Sequence, residues 1–162
     1  MTLLKNYDAA SKNIDILRKH NHTLMMKKFI TNNSKQTKKL GEMLASELKG
    51  GKIICLSGDL GSGKTTFTQG LLKGLKKKGP YTSPTFVVMK KYKNIYHIDA
   101  YRIKGKDLLD LGWKEIIADN PPAGGNIIII EWAERVKKII PKNALWIRFR
   151  WIGENERELK FS

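Results

Sequence analysis

The sequence predicts an α/β fold: a mostly parallel central sheet flanked by helices, with antiparallel strands added. Three stretches carry that expectation. Lys52-Ile53-Ile54-Cys55-Leu56-Ser57 reads as a buried strand, followed by a glycine-rich loop and then a helix from Thr65 to about Lys77. Ile127-Ile128-Ile129-Ile130 is a continuous β-branched run, the pattern of a strand buried on both faces of a parallel sheet. Residues 144–152 alternate, with Leu145, Ile147, Phe149 and Trp151 on one face and Trp146, Arg148 and Arg150 on the other. That is the pattern of a strand with one half-exposed face.

The remaining elements follow in chain order. Residues 1–33 carry little motif content and are read as an N-terminal extension. Ile14, Ile16, Leu17 and Leu24 suggest a short helix there, diluted by Asn and Lys. Met25-Met26 precede the first convincing element and offer an alternative start. Ser34 is the expected N-cap of a helix running to about Lys49, with Leu40, Met43, Leu44 and Leu48 on its buried face and Gly50-Gly51 ending it. Tyr81-Thr82-Ser83-Pro84-Thr85-Phe86 is a hydroxyl-rich loop, of a kind that senses a terminal phosphate or is merely a turn. Residues 85–92 read as extended, Asn94 as a turn, and Ile95–Asp99 as a hairpin partner. Residues 106–118 read as one helix, Pro121–Gly125 as a loop, and 133–140 as a short helix stopped before Pro141. Arg157 to Phe161 is the expected hairpin partner of the 144–152 strand.

The loop Gly58-Asp59-Leu60-Gly61-Ser62-Gly63-Lys64-Thr65 fits the phosphate-binding pattern G-x-x-x-x-G-K-[ST] at every fixed position, between the strand and helix that pattern needs. Gly61 and Gly63 let successive backbone N–H groups turn inward around an anion. The helix behind adds unpaired N–H groups and the positive end of its dipole. Lys64 is placed to reach the β- and γ-phosphates, facing solvent or ligand, and the Thr65 hydroxyl to ligate Mg²⁺. An apolar strand ending in a carboxylate, as Ile127–Ile130 ends in Glu131, is what nucleotide hydrolases use on the metal side of such a loop. Asp99, at the end of a second apolar strand, is the other candidate acid. The absence of an Asn-Lys-x-Asp motif makes adenine the expected base rather than guanine. Residues 34–162 are therefore expected to form one P-loop ATPase domain.

Composition narrows the classes further. A hydrophobic content of 41% is ordinary for a folded domain. No run approaches the roughly 20 apolar residues that span a bilayer, and the N-terminus lacks the apolar segment of a signal peptide. Cys55 is the single cysteine, reads as a small core residue, and fits a reducing cytoplasm. His20, His22 and His97 show no metal-ligand spacing, which argues against structural zinc. There is no G-x-S-x-G nucleophile motif.

The formal net charge of +16 attracts polyanions, although Lys, Ile and Asn share A- and T-rich codons and the bias also fits genome composition. No acidic residue falls between Asp59 and Asp99, whereas Lys73, Lys76, Lys77, Lys78, Lys90, Lys91 and Lys93 do. The Lys73–Lys93 segment is thus the candidate contact for RNA or an acidic partner.

Four motifs in order carry a resemblance: Gly58 to Thr68, then Ser83-Pro84-Thr85-Phe86, then His97-Ile98-Asp99-Ala100-Tyr101-Arg102, then Ile130-Glu131-Trp132. Together they closely resemble TsaE (formerly YjeE), the bacterial ATPase family needed for tRNA threonylcarbamoyladenosine biosynthesis, over about residues 34–162. The resemblance implies a small P-loop NTPase fold that binds ATP and Mg²⁺. It implies action with TsaD and TsaB on the adenosine beside the anticodon of ANN-decoding tRNAs, with TsaD as the transferring enzyme. Gly61, Ser62, Gly63, Lys64, Thr65 and Thr66 would cradle the phosphates, and Thr65 and Glu131 would hold Mg²⁺. Asp99 would lie near the γ-phosphate as a water-orienting or metal-shell acid. Trp132 matches an activity-linked position, and Lys35 to Thr37 the region that touches the base. Arg102 and Arg135 are the arginines near the motifs, with Arg102 better placed for the γ-phosphate. The chain departs from the family in Ala100, usually Leu, and in Met89-Lys90-Lys91-Tyr92, a stretch that commonly carries an acid. Two further readings stand beside this one: a small-molecule kinase on a P-loop fold, and a nucleotide-gated RNA-binding module.

Overall fold

The computed structural model describes residues 28–77, 79, 87–121 and 123–162. The strands are β1 (Lys28–Thr31), β2 (Ile53–Ser57), β3 (Met89–Tyr92), β4 (Ile95–Asp99), β5 (Ile127–Glu131), β6 (Leu145–Trp151) and β7 (Arg157–Phe161). The helices are α1 (Ser34–Glu47), α2 (Lys64–Gly74), α3 (Gly105–Asp110) and α4 (Trp113–Ala118), with a 3₁₀ segment at Ala133–Ile139. Among the described residues the strands form one sheet in the order β1-β7-β6-β2-β5-β4-β3. The pairs β6–β2, β2–β5 and β5–β4 are parallel, while β1–β7, β7–β6 and β4–β3 are antiparallel. The expected mostly parallel sheet with antiparallel additions is what forms. The expected helix within residues 14–24 and the 81–86 loop lie outside the described residues.

The β-branched runs explain why β2 and β5 are central. Ile54, Leu56, Ile127 and Ile129 point to one face and pack with Leu40, Leu44, Phe67 and Leu71 of α1 and α2. Ile53, Cys55, Ile128 and Ile130 point to the other, with Leu108, Trp113, Ala133 and Val136. Each central strand is covered on both sides, so no polar alternation is needed. Burial pushes the Cys55 thiol up to about 12, which leaves it a core residue rather than a nucleophile. On the first face, Phe67 of α2 meets Phe149 of β6 edge-on at 5.6 Å and Phe161 of β7 at 6.5 Å. Phe161 in turn meets Phe29 of β1 at 5.2 Å. These edge-to-face contacts clamp α2, and the loop that precedes it, to the sheet.

Four local differences from the sequence reading have simple causes. Residues 28–31, assigned to the N-terminal extension, form an edge strand in register with β7, with Phe29 and Thr31 buried. Asn33 rather than Ser34 caps α1, its side chain accepting from the Gln36 N–H at 2.9 Å. The single helix expected over 106–118 is two, because Gly112 takes φ +84°, a left-handed conformation that ends α3 and starts α4 at a new angle. The segment after Trp132 winds as a 3₁₀ helix, not an α-helix.

Helices α1 and α2 approach so closely that a Cβ at Gly70 would collide with the Lys38 carbonyl oxygen. Gly41 and Gly74 meet the facing helix backbone in the same way. Across this contact Lys73 pairs with Glu42 at 2.8 Å. Gly70→Ala is therefore expected to destabilise the fold by about 1–3 kcal/mol or more, because backbone cannot yield as a side chain would. A urea midpoint equal to wild type would contradict it.

Candidate functional site

The phosphate loop connects β2 to α2 at the carboxyl end of the parallel strands. Gly63 carries φ +102° as the residue before the helix, a conformation glycine alone adopts without cost. Gly61 is exposed at the loop crest, Ser62 is buried with its N–H on the Asp59 carbonyl at 3.2 Å, and Thr66 is half-buried on the first turn of α2. A pocket of about 150 Å³ opens here, lined by Leu60, Gly61, Gly63, Lys64, Thr65, Thr66 and Trp132. A larger groove of about 790 Å³ lies beside α3, lined by Leu109, Val136 and Ile139 among others. It lacks the hydroxyl and carboxylate pairing found at the loop, so donor chemistry rather than size locates the site.

Lys64 does not face solvent as expected. It is 4% exposed, and its Nζ donates to the Gly58 and Asp59 carbonyl oxygens at 2.6 and 2.7 Å. The same ammonium lies 3.8 Å from the centroid of the Trp132 ring. The four-carbon stem folds inward because loop carbonyls and an indole face both attract a cation. Burial lowers the Lys64 pKa, against the opposing fields of Glu134, Glu131, Asp59 and Asp99.

The two acids predicted from sequence come together through register. Asp99 on β4 stands directly opposite Glu131 on β5, each the last residue of its strand. Both are buried, at 4% and 1% exposure. Glu131 Oε2 accepts from the Thr65 hydroxyl at 2.7 Å. Asp99 Oδ1 accepts from the Tyr101 N–H at 2.9 Å. Trp132 follows Glu131 in the left-handed region, φ +59°, at a cost of roughly 1–2 kcal/mol for a residue with a Cβ. That turn lays its ring over Lys64 and against Tyr101, 4.9 Å between centroids, and Arg135 lies 5.3 Å from the centroid of the Tyr101 ring.

The other predicted residues are more scattered. Thr37 is buried beside the loop: a Cβ at Gly63 would sit 3.5 Å from its methyl group. Its hydroxyl is engaged with Thr31 Oγ1 at 2.7 Å and donates to the Asn33 carbonyl at 3.2 Å. Lys35 is exposed on the first turn of α1, and Arg102 is exposed on the turn after β4. In the Lys73–Lys93 segment Lys73 bridges to α1, Lys77 lies 4.0 Å over the Tyr92 ring, and Lys91 lies 5.0 Å over Tyr96. Lys78 lies outside the described residues.

Two residues escaped the sequence reading. His97 Nε2 lies 2.9 Å from Glu131 Oε1, with both side chains buried. Its place two residues before Asp99 on one strand, hence on the same face, was the available signal. Arg157 donates from Nε to the Gly61 carbonyl at 3.3 Å and from Nη1 to Gly153, Glu154 and Glu156 carbonyls at 3.2, 3.3 and 3.0 Å. It ties the β6–β7 turn to the loop, a contact across 96 residues that no local pattern announces.

The donor set suits a hard cation. A hydroxyl and a carboxylate converge with a second carboxylate opposite, all oxygen. Among the described residues no group of three or more His, Cys, Asp or Glu side chains is arranged to hold a metal alone. A cation held by these residues would need further oxygen ligands, as Mg²⁺ takes from phosphates and water at nucleotide sites.

The chain matches the family described as Threonylcarbamoyl adenosine biosynthesis protein TsaE over residues 31–159. It is 35% identical over 139 residues to the tRNA threonylcarbamoyladenosine biosynthesis protein TsaE of Bacillus subtilis, covering 83% of this chain and 84% of that one. It is 36% identical over 142 residues to the protein of the same name from Aquifex aeolicus, covering 84% and 96%. The crystal structure of Bacillus subtilis YdiB superposes with a TM-score of 0.65 at 31% identity, covering 85% of this chain and 86% of that one.

Proposed function

This chain belongs to the TsaE family, and from that premise we propose that it binds and hydrolyses ATP with Mg²⁺ in tRNA threonylcarbamoyladenosine biosynthesis, acting with TsaB and TsaD. The observation that supports the reading best is the Thr65–Glu131 pair, 2.7 Å apart, below a complete phosphate loop. Loop N–H groups and the α2 N-terminus bind the phosphates, and Lys64 exchanges its carbonyl partners for phosphate oxygens. Thr65 and Glu131 would hold the cation, and Mg²⁺ bound there would supply charge neutralisation for the phosphates. Asp99 orients the attacking water, and Trp132 covers Lys64 and limits solvent at the mouth.

A kinase would need a lid bearing arginines. The described arginines sit on the turn after β4, on the 3₁₀ segment and on β6 and β7, and so form no such lid. Phosphoryl transfer needs cationic charge beyond Lys64 and the metal, and a supplied arginine contributes roughly 10³–10⁵ in rate. The free protein is therefore expected to bind ATP and turn over slowly, with partner docking bringing Asp99 and Arg102 to bear. The Lys-rich flank then faces tRNA or an acidic partner surface. Single-turnover hydrolysis with and without TsaB and TsaD tests this. Fast hydrolysis by the protein alone, unchanged by partners, would remove the gating reading, and absence of ATP binding would remove the function.

A further inference from the structure

We infer that His97 is a positioning residue for this site: its Nε2–H holds Oε1 of Glu131 and leaves Oε2 as the oxygen presented to Thr65 and to a divalent cation bound there. The inference rests on the reading of Glu131 as the metal-side acid. His97 stands opposite Ile129 in the parallel β4–β5 register, one side-chain step below Glu131 on the same face. That diagonal lets the imidazole reach up to the carboxylate, and Nε2 lies 2.9 Å from Oε1. A carboxylate accepts and does not donate, so the proton in this bond is on Nε2. Nδ1 is buried with no hydrogen-bond partner, so the ring's one polar contact is the one to Glu131.

The two tethers on Glu131 differ in kind. The Thr65 hydroxyl on Oε2 would itself be a cation ligand on this reading, and would then turn a lone pair away from its present bond. The His97 bond to Oε1 involves no atom that a cation claims, so it persists and keeps the carboxylate from rotating. A buried histidine serving only as filler would need no such alignment, since an apolar side chain fills the same volume without leaving a ring nitrogen unpaired.

The test is a Mg²⁺ titration of the affinity for N-methylanthraniloyl-ATP, followed by fluorescence, for wild type and His97→Leu, His97→Gln and His97→Asn. Outer-shell partners of metal ligands typically contribute about 10–100-fold in metal affinity. His97→Leu is expected to raise the half-saturating Mg²⁺ concentration by about that factor, with metal-free nucleotide affinity unchanged. His97→Gln carries an amide N–H at nearly the position of Nε2 and should restore most of the Mg²⁺ response. The shorter His97→Asn should not. An unchanged Mg²⁺ response in His97→Leu, a parallel fall in metal-free affinity, or equal behaviour of the Gln and Asn variants would overturn the inference. Should His97→Leu fail to fold, the Gln and Asn comparison decides. A wild-type protein that binds the nucleotide with no Mg²⁺ response would overturn the underlying site reading as well, and is told apart by the wild-type curve alone.

Discussion

Lys64→Ala is expected to lower single-turnover hydrolysis by at least about 10²–10³-fold, the usual loss when one group aimed at developing charge is removed. Among the side chains lining the loop pocket Lys64 is the only cation, so no neighbour there replaces it. The same substitution should also weaken the fold, which the motif alone would not suggest. The ammonium joins the Gly58 and Asp59 carbonyls and lies under Trp132, so its removal unties the loop from itself. Hydrogen bonds to charged groups contribute about 1.5–3 kcal/mol, and a loss near the low end of that range is expected on thermal unfolding. Lys64→Met keeps a stem under the indole but loses the ammonium with both its carbonyl bonds, so comparing it with Lys64→Ala separates the packing of the stem from the loss of the ammonium. Near-wild-type hydrolysis in either variant would end the phosphate-loop assignment.

Asp99→Asn and Glu131→Gln should fail in different ways. Asp99 lies across the register from Glu131, yet Glu131 bonds the Thr65 hydroxyl whereas Asp99 accepts from its own strand end at Tyr101. Asp99→Asn should therefore still bind Mg·ATP while hydrolysis falls by about 10²–10⁴-fold, the range for a positioned acid or base. Glu131→Gln removes the proposed cation ligand and should first weaken the Mg²⁺ dependence of binding. Isothermal titration with and without Mg²⁺, beside single-turnover rates, distinguishes them. Equal loss of nucleotide binding in both variants would contradict the division of labour.

The central strands and the loop were legible because their signals are local. Ile127–Ile130 and the eight residues from Gly58 to Thr65 each state their role within one window. The β1 strand was not legible, because Lys28-Phe29-Ile30-Thr31 offers only two inward residues, too few to establish a period. Gly112 falls inside the apolar pattern of residues 106–118, and only its positive φ reveals the break. At the site, the phosphate-loop motif singled out Thr65 and the carboxylate ending an apolar strand singled out Glu131, and their side chains meet across 66 residues. The inward turn of Lys64 was not visible, since nothing in the motif says what a lysine does with its stem. His97 and Arg157 act through partners distant in sequence, and for His97 the one local signal was its place on the same strand face as Asp99.

The close crossing of α1 and α2 has a genetic consequence. Gly41, Gly70 and Gly74 each lack room for a Cβ, and every other amino acid has one. Any missense change in those three codons, whatever it encodes, therefore places an atom where backbone or a packed methyl already stands. Elsewhere in the chain a codon can drift between Lys, Asn and Ile, sharing A- and T-rich triplets, with little disturbance on an exposed face. Glycine codons begin with two guanines, so a change to A or T in either of them gives Arg, Ser, Asp, Glu, Val, Cys or Trp, all of them too large. The helix crossing beneath the phosphate loop is thus a place where base composition and packing pull in opposite directions, and packing sets the codon.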